Sequence, residues 1–357
     1  MTRMPKDLLV PGTSGNKLML DSADLGWPSA LLAQGWLAGA TGYAVGLDGL
    51  PLSGQEIVDV LSMEFADPTS THPTKTTLKA GSTVGPGPLL ELVYNQFLNF
   101  DRFLYDFRSD VRHGGERLLT HLLENRPSGD RWRIVAHSQG GLLVAVASKL
   151  LAQQNNDDDR AFSQLVSHVG FVATPFYGTV TAAAALLVGE ELSPGFAPRF
   201  RAIARTWPSL HQMLPAWPGS VRIRSAGGET AAPFSTLADS AWPGVGVDPA
   251  MLARARQTRA QFLNSPLSRM NGVKIRLWMS RAWPTWNHVV IDNGAVAPGP
   301  ASEPGDTLVP ANTTYATEAQ VEKDATHLFG FGGNTMKHSA LCVDPFLATE
   351  VGSFFAQ

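Results

Sequence analysis

Short apolar runs bounded by Gly or Pro alternate with longer helical patterns along this chain, and this alternation constrains the fold most strongly. The helical patterns include GGERLLTHLLENR, which places Leu118, Leu119, Leu122 and Leu123 on one stripe, and the apolar segment 141–151. Alternation of this kind is typical of a mostly parallel sheet with helices on both faces. The strand-like runs are DLLVPG near the start, FLYDFR at 103–108, WRIVAHS at 132–138, HVGFVATP at 168–175 and VKIRLWMS at 273–280.

The length of 357 residues fits one large α/β domain spanning 1–357 with insertions, or two smaller domains; the pattern above favours the first. Residues 64–90 are rich in Thr, Pro and Gly, and we expect a flexible loop there, although an ordinary surface excursion is equally consistent. Residues 176–270 form a long Pro- and Trp-containing stretch between two core strands. We expect this stretch to be a cap or lid over the sheet edge where ligands bind.

Charge and cysteine content limit the classes of partner and compartment. The 28 basic and 31 acidic residues give a net charge of −3, without the basic stripe of nucleic-acid binding proteins. Cys342 is the single cysteine, so an intrachain disulfide is impossible. The apolar run at 8–10 is shorter than a secretory signal requires, since such a signal needs about 7 to 15 apolar residues. We therefore expect a cytoplasmic protein, or one exported without a standard cleavable signal, that does not bind nucleic acid.

The segment AHSQGG at 136–141 carries the clearest chemical signal. It follows the strand-like run WRIVA directly and precedes an apolar helix, so Ser138 falls at a tight strand-to-helix turn. Small residues on either side of such a turn let the backbone bend sharply and expose the serine hydroxyl. Ala136 stands where this motif usually has Gly, a difference of one methyl group. The pattern predicts that Ser138 is a nucleophile, whereas the alternative is an ordinary turn that contains a serine.

A serine nucleophile needs a histidine base and an orienting carboxylate, which follow it in the order acid, then histidine. Asp306 in GDTLVP is the preferred acid, and Asp292 and Asp324 are alternatives. The preferred base is His338, which follows the Gly-rich FGFGG; the alternatives are His288 and His327.

The same chemistry needs backbone donors for the oxyanion. The N–H of Gln139 lies at the start of the helix that follows the nucleophile, where the helix dipole favours negative charge. A second donor is expected from the loop at 11–16, and the N–H of Thr13 is our choice. Gly12 and Gly15 in this loop permit a close approach of the backbone.

The chain resembles the lecithin:cholesterol acyltransferase and lysosomal phospholipase family of α/β-hydrolases, as a bacterial-type lipase or esterase relative. The resemblance implies an α/β-hydrolase fold, a triad of Ser138, Asp306 and His338, and an oxyanion hole of Thr13 and Gln139. The matching blocks lie in the family's order along nearly the whole chain: VPGTSGNKL at 10–18, YDFR at 105–108, AHSQGG at 136–141, ATPFYG at 173–178, TWPSLHQMLP at 206–215 and GDTLVP at 305–310.

Residues inside or near these blocks are candidates for contact with ligands. Four are candidate substrate-binding residues: Gly12, His137, Phe176 and Tyr177. The family's membrane-contact region corresponds to somewhere within 20–90, where Trp27 and Trp36 could touch lipid transiently or pack under the loop. Arg108 and Asp110 fall near the active face, and a salt bridge that fixes the loop explains them as well as substrate contact does.

The sequence thus predicts a serine hydrolase that cleaves carboxylic esters of lipid-like substrates through an acyl-enzyme. Transfer of the acyl group to an alcohol is an alternative use of the same residues. A hydrolase-fold binding protein without activity is a third hypothesis. No cofactor is expected, and no metal either, since the sequence has no HExxH or paired-His spacing.

Overall fold

The computed structural model describes most of the chain beyond residue 98 and parts of the region before it. The predicted insertion at 64–90 lies outside the described residues except for 78–80, and Trp36 and Asp324 lie outside them as well. The described residues are 6–13, 18–20, 23–27, 62–63, 78–80, 94–97, 99–189, 197–225, 227–232, 247–292, 295–311, 326–329 and 337–357.

A six-stranded sheet forms the centre of the molecule. Its spatial order is β6-β5-β4-β3-β1-β2, and each neighbouring pair is parallel. A parallel neighbour requires a crossover connection, which explains the alternation of apolar runs and helical patterns in the sequence. The strands are Asp7–Val10 (β1), Asp101–Arg102 (β2), Trp132–His137 (β3), Val166–Val172 (β4), Lys274–Ser280 (β5) and Thr326–Phe329 (β6).

Helices connect and cover these strands. Among the described residues, the first α-helix begins at Val111 because the carboxylate of Asp110 caps it, accepting a hydrogen bond of 2.7 Å from the N–H of Arg112. The helices of the described residues are Val111–Glu124 (α1), Gln139–Gln154 (α2), Val180–Leu187 (α3), Ala197–Ala204 (α4), Pro208–Gln212 (α5), Pro249–Thr258 (α6) and Pro345–Phe355 (α7). Shorter turns are 3-10 helices at Asn95–Phe97, Ala161–Gln164 and His338–Val343, and a π-helical turn at Arg259–Leu263.

Successive side chains of the sheet enter two separate apolar clusters, because neighbours along a strand point to opposite faces. Leu8 and Ile134 join the larger cluster with the buried side chains of α1 and α2. Leu9 and Val135 join the smaller cluster, which includes Leu347, Val351 and Phe354 of α7. Helices therefore cover both faces of the sheet, as the sequence predicted.

The segment between β4 and β5 holds α3 to α6 and a small sheet. The apolar side chains of α3 lie almost entirely within the main core, and this packing accounts for their hydrophobicity. The small sheet joins Val221–Ser225 and Gly228–Ala232 to Val289–Asp292 and Ala295–Pro298. Trp283–Trp286 pairs with Ala301–Gly305, and Leu18–Leu20 pairs with Ala23–Trp27 and Leu78–Ala80.

The strand predicted at 103–108 is wrong. The strand of the sheet is Asp101–Arg102, and the chain leaves it after the N–H of Phe103 donates to the carbonyl of Leu9 at 3.0 Å. Phe103, Tyr105 and Phe107 are nevertheless buried at alternating positions. The alternation in the sequence therefore reports burial of these rings, since this stretch does not continue the backbone ladder of the sheet.

Candidate active site

Ser138 is the single residue between the end of β3 at His137 and the start of α2 at Gln139. Its backbone has φ 52° and ψ −127°, a conformation that is costly for a residue with a side chain. The N–H of Ser138 donates to the carbonyl of Val172 on β4 at 2.8 Å, which anchors this strained residue to the sheet. Ser138 therefore sits at the carboxyl edge of the central sheet, on the type of turn that its sequence predicted.

The glycines around the turn are required by close packing. A Cβ on Gly140 would lie 2.4 Å from the carbonyl oxygen of Val10, and one on Gly141 would lie 2.1 Å from Oγ1 of Thr174. The start of α2 thus presses directly against the ends of β1 and β4. Ala136, which replaces the usual Gly, is fully buried in the main core, where its methyl group is accommodated.

Two hydrogen bonds connect Ser138 to the predicted histidine and carboxylate. Oγ of Ser138 lies 2.8 Å from Nε2 of His338, and Nδ1 of His338 lies 2.7 Å from Oδ2 of Asp306. All three residues are buried, with 7%, 7% and 1% of their surface exposed. The structure therefore brings together the three residues that the sequence singled out for nucleophilic chemistry.

The loop that carries Asp306 is a tight turn held by its own carboxylate. Oδ1 of Asp306 accepts hydrogen bonds from the N–H groups of Leu308 at 3.0 Å and Val309 at 2.7 Å. Thr307 has a φ of 87°, and its N–H donates to Oγ1 of Thr285 at 3.0 Å. The hydroxyl of Thr179 also donates to the carbonyl of Leu308. These bonds leave Oδ2 of Asp306 directed at His338 in a fixed orientation.

Thr13 and Gln139, the predicted oxyanion donors, contact each other. Oγ1 of Thr13 donates to Oε1 of Gln139 at 2.7 Å, and Nε2 of Gln139 donates to the carbonyl of Phe107 at 2.9 Å. Gln139 is the first residue of α2, where backbone N–H groups have no partner within the helix. The side chain of Gln139 thus fixes the loop of Thr13 beside the helix N-terminus.

Gly12 and His137, two of the candidate substrate-binding residues, meet at the side chain of Tyr94. The N–H of Gly12 lies 3.1 Å from Oη of Tyr94, and that oxygen lies 2.8 Å from Nδ1 of His137. Nε2 of His137 lies 3.2 Å from the carbonyl oxygen of His338. Burial and the neighbouring His338 lower the pKa of His137 well below its ordinary value. Tyr94 was not singled out in the sequence, which contains no motif around it.

Phe176 and Tyr177, the other two candidates, lie in the loop after β4. The ring of Phe176 is fully buried in the main core, with its centroid 5.1 Å from that of Phe171. Its carbonyl accepts a hydrogen bond of 3.0 Å from Nη1 of Arg259. The carbonyl of Tyr177 accepts one from the N–H of Ala216 at 2.8 Å. A role of either residue in substrate binding stays a prediction.

The alternative acids and bases occupy other surroundings. Asp292 is exposed at the end of its strand in the small sheet, and Nδ1 of His288 interacts with the side chain of its neighbour Asn287. His327 lies on β6, where its backbone pairs with that of Trp278 on β5. Among the described residues, the hydrogen bonds to Ser138 and His338 thus involve Asp306 and none of these alternatives.

Arg108 forms an ion pair with Asp106, and Asp110 forms one with Arg254. Nε of Arg108 donates to Oδ1 of Asp106 at 3.0 Å and Nη2 donates to Oδ2 at 2.7 Å, a bidentate pair. Oδ2 of Asp110 accepts a hydrogen bond of 2.7 Å from Nε of Arg254 on α6, and both side chains are buried. These ion pairs fix the loop, which was one of the two interpretations of the sequence.

Two features of the described part of the chain concern metal ions and membranes. No group of three or more His, Cys, Asp or Glu residues in it could hold a metal ion. No helix in it is both long and apolar enough to cross a membrane. A mechanism without metal or cofactor stays a prediction, as do the substrate and any contact with a membrane surface.

Solved structures of other proteins are similar to this chain. No protein-family model matches the sequence, and no curated protein does. The crystal structure of the Tle4–Tli4 complex contains a chain with 13% identity and a TM-score of 0.55, and the match covers 99% of this chain and 98% of that one. Bacillus licheniformis lipase BlEst2 is also similar in its mature form, with 11% identity, a TM-score of 0.40 and coverage of 98% and 93%. The propeptide form of this lipase has 11% identity and a TM-score of 0.42, and the match covers 99% of this chain and 50% of that one. With its parallel sheet and its serine at the strand-to-helix turn, the chain has the α/β-hydrolase fold that its sequence predicted.

Proposed function

We propose that this protein is a serine hydrolase that cleaves carboxylic esters of lipid-like substrates. The observation that carries the proposal is the continuous hydrogen-bonded path from Oγ of Ser138 through the ring of His338 to the carboxylate of Asp306. A hydroxyl is a weak nucleophile unless a base removes its proton, and this path supplies a base and the carboxylate that orients it.

In the proposed reaction, Oγ of Ser138 attacks the ester carbonyl while Nε2 of His338 takes the hydroxyl proton. The backbone N–H groups of Thr13 and Gln139 stabilise the negative oxygen of the tetrahedral intermediate. The C–O bond to the alcohol then breaks, and His338 returns its proton to the departing alcohol. Water, activated by the same histidine, attacks the acyl-enzyme and releases the acid and free Ser138. Asp306 holds the imidazole in one tautomer and stabilises its protonated form.

The lipid-like character of the substrate rests on the resemblance to the lecithin:cholesterol acyltransferase and lysosomal phospholipase family. Five of the matching blocks supply residues to the candidate site or its supports: VPGTSGNKL at 10–18, YDFR at 105–108, AHSQGG at 136–141, ATPFYG at 173–178 and GDTLVP at 305–310. We also propose that residues 176–270 act as a cap on a single domain, with a flexible loop insertion near 64–90.

A fluorophosphonate probe with intact-mass detection tests the nucleophile. We expect one adduct on the wild type and none on Ser138→Ala. Ser148→Ala is the matched control, since Ser148 is a buried serine of α2 that donates to the carbonyl of Ala145, and it should be labelled like the wild type. Equal labelling of Ser138→Ala would contradict the proposal. Persistent silence of folded wild type, also with detergent or lipid vesicles present, would favour a binding protein.

Nitrophenyl esters of increasing acyl length test the substrate class. We expect kcat/KM to rise from short to long chains, since a lipid-like substrate gains affinity from each buried methylene. A preference for short chains would keep the serine mechanism and refute the lipid-like substrate.

The resemblance to acyltransferases favours a second use of the same acyl-enzyme, in which an alcohol replaces water. Product partition between free acid and new ester, measured with added long-chain alcohol, separates the two reactions. Mainly free acid would exclude transfer as the principal activity.

A further inference from the structure

The side chains of Tyr94 and His137 connect two parts of the candidate active site that are distant in sequence. At one end, the N–H of Gly12 lies 3.1 Å from Oη of Tyr94. Oη lies 2.8 Å from Nδ1 of His137, and Nε2 of His137 lies 3.2 Å from the carbonyl oxygen of His338. The path therefore runs from the loop of the proposed oxyanion donor to the backbone of the proposed base.

The chemistry of the end groups fixes the direction of every hydrogen bond in this path. The carbonyl oxygen of His338 can only accept, so Nε2 of His137 carries a proton. Burial lowers the pKa of His137, so the ring is neutral and its Nδ1 accepts. The proton on that bond comes from the Tyr94 hydroxyl, whose pKa is raised by burial. The oxygen of Tyr94 in turn accepts from the N–H of Gly12, and every step has one donor and one acceptor.

We propose that Tyr94 and His137 are positioning residues, which hold the oxyanion loop at Pro11, Gly12 and Thr13 in register with the His338 backbone. This inference rests on the proposed function, since it concerns how the same site is aligned. Neither side chain needs to touch the substrate to act in this way.

The oxyanion loop has little room to move. A Cβ on Gly12 would lie only 2.7 Å from Cβ of Ser138, so the loop lies directly against the nucleophile. Each loop residue also has its own side-chain partner. Oη of Tyr105 donates to the carbonyl of Pro11 at 2.8 Å, and Oγ1 of Thr13 donates to Gln139 at 2.7 Å. Of these described contacts, the one through Tyr94 continues to His338.

The charge state of His137 also serves the reaction. Its ring centroid lies 4.9 Å from that of His338. His338 must become positively charged when it takes the proton of Ser138, and a second cation at this distance would oppose that step. A neutral His137 with a fixed tautomer aligns the base without that penalty.

The test compares kcat and KM for Tyr94→Phe, His137→Phe and the double variant, normalised to sites titrated by the fluorophosphonate. A misplaced oxyanion donor reduces the stabilisation of the transition state more than it reduces the affinity for the substrate. We therefore expect kcat to fall about ten- to hundredfold in each single variant, while KM changes by less than about threefold. Because the residues act in one path, the double variant should lose no more than about threefold beyond the worse single variant.

Two further variants distinguish a positioning role from general support of the fold. The amide of His137→Gln can still donate to the carbonyl of His338, so its kcat should lie between those of the wild type and His137→Phe. Tyr105→Phe breaks a different anchor of the same loop, so its effect should multiply with that of His137→Phe. Ser148→Ala removes a buried hydroxyl elsewhere in α2 and should leave kcat unchanged.

Three results would overturn the inference. They are an unchanged kcat per titrated site in Tyr94→Phe, independent multiplication of the Tyr94→Phe and His137→Phe effects, and equal activity of His137→Gln and His137→Phe. If Tyr94→Phe does not fold, the comparison of His137→Gln with His137→Phe decides the matter. Failure of the proposed function looks different, since the wild type itself would then be inactive and unlabelled.

Discussion

His338 is bound to Asp306 twice, once through its ring and once through its backbone. Nδ1 of His338 lies 2.7 Å from Oδ2 of Asp306, and the backbone N–H of His338 donates to the carbonyl oxygen of Asp306 at 2.8 Å. The two loops therefore stay together even when the charge on the carboxylate is removed. This double contact separates the electrostatic role of Asp306 from its structural role.

Asp306→Asn should lower kcat by about 10³- to 10⁴-fold with little change in stability, since the amide would favour the wrong tautomer of His338. The amide oxygen can still accept from the N–H groups of Leu308 and Val309, so the turn persists. Ester hydrolysis and thermal unfolding measure the two effects. Asp292→Asn, an exposed alternative acid, should stay within about twofold of the wild type. A larger loss of kcat in Asp292→Asn than in Asp306→Asn would refute the assignment of Asp306.

Gly140→Ala should destabilise the fold by about 1 to 3 kcal/mol, because its methyl group would meet the carbonyl oxygens of Val10 and Pro11 at 2.4 and 2.6 Å. Displacement of the start of α2 should also reduce labelling of Ser138. Gly352→Ala on α7 is the control, since its methyl group meets nothing within 4 Å. Its free energy of unfolding should rise by about 0.5 to 1 kcal/mol. Denaturant titration of both variants checks the prediction. A Gly140→Ala variant as stable as the wild type would contradict it.

Stability should fall as the pH drops from about 6.5 to 4 because His211 is buried. Burial lowers the pKa of His211 to about 4, and the nearby charges of Arg254 and Arg205 also lower it. The hydrogen bond to the carbonyl of Trp207 and the charge of Asp248 act in the opposite direction. The unfolded chain therefore takes up this proton first, and the folded state loses up to about 3 kcal/mol across this range.

His211→Asn tests this pH dependence. Its amide can replace Nδ1 as the donor to the carbonyl of Trp207, a bond of 2.9 Å in the wild type, but it does not titrate. Unfolding free energies at several pH values between 4 and 7 should show a shallower slope in the variant. Parallel curves for the two proteins would show that His211 does not govern acid stability.

Arg254→Met should lower the free energy of unfolding by about 3 to 5 kcal/mol, because it leaves the carboxylate of Asp110 buried without this cation. Asp110→Asn combined with Arg254→Met should recover part of the loss. Arg224→Met is the control, since Arg224 pairs with Glu229 at the surface and its loss should change stability little. Chemical denaturation measures all three. Equal effects of Arg254→Met and Arg224→Met would mean that the buried pair does not stabilise the fold.

Much of the central sheet could be predicted because buried parallel strands are short apolar runs with clear ends. Trp132–His137 and Lys274–Ser280 occur almost where the sequence placed them, and Val166–Val172 begins two residues earlier. The strands of the small mixed sheet could not be predicted. Val221–Ser225 alternates apolar residues with two arginines, yet its neighbours in the sheet include residues about 70 positions later.

The candidate site was predictable where local sequence dictates local geometry. The turn at Ser138 and the Asp306 loop depend on adjacent small residues, so a local sequence pattern indicates both turns. Tyr94 and Thr285 carry no such signal, because their contacts with Gly12 and Thr307 join residues 82 and 22 positions apart. Contact of His137 with substrate stays a prediction, and the described hydrogen bonds of its ring are with Tyr94 and His338.

The hydrogen bond from Ser138 to His338 spans 200 positions of the chain. A ribosome releases the segment with Ser138 long before it has made the segment with His338, and domains generally begin to fold from the N-terminal side. Until the segment with His338 has been made, the growing polypeptide therefore carries a serine without its base. Under the proposed mechanism, the nascent protein cannot attack the lipids of the cell that makes it before this later segment has been translated.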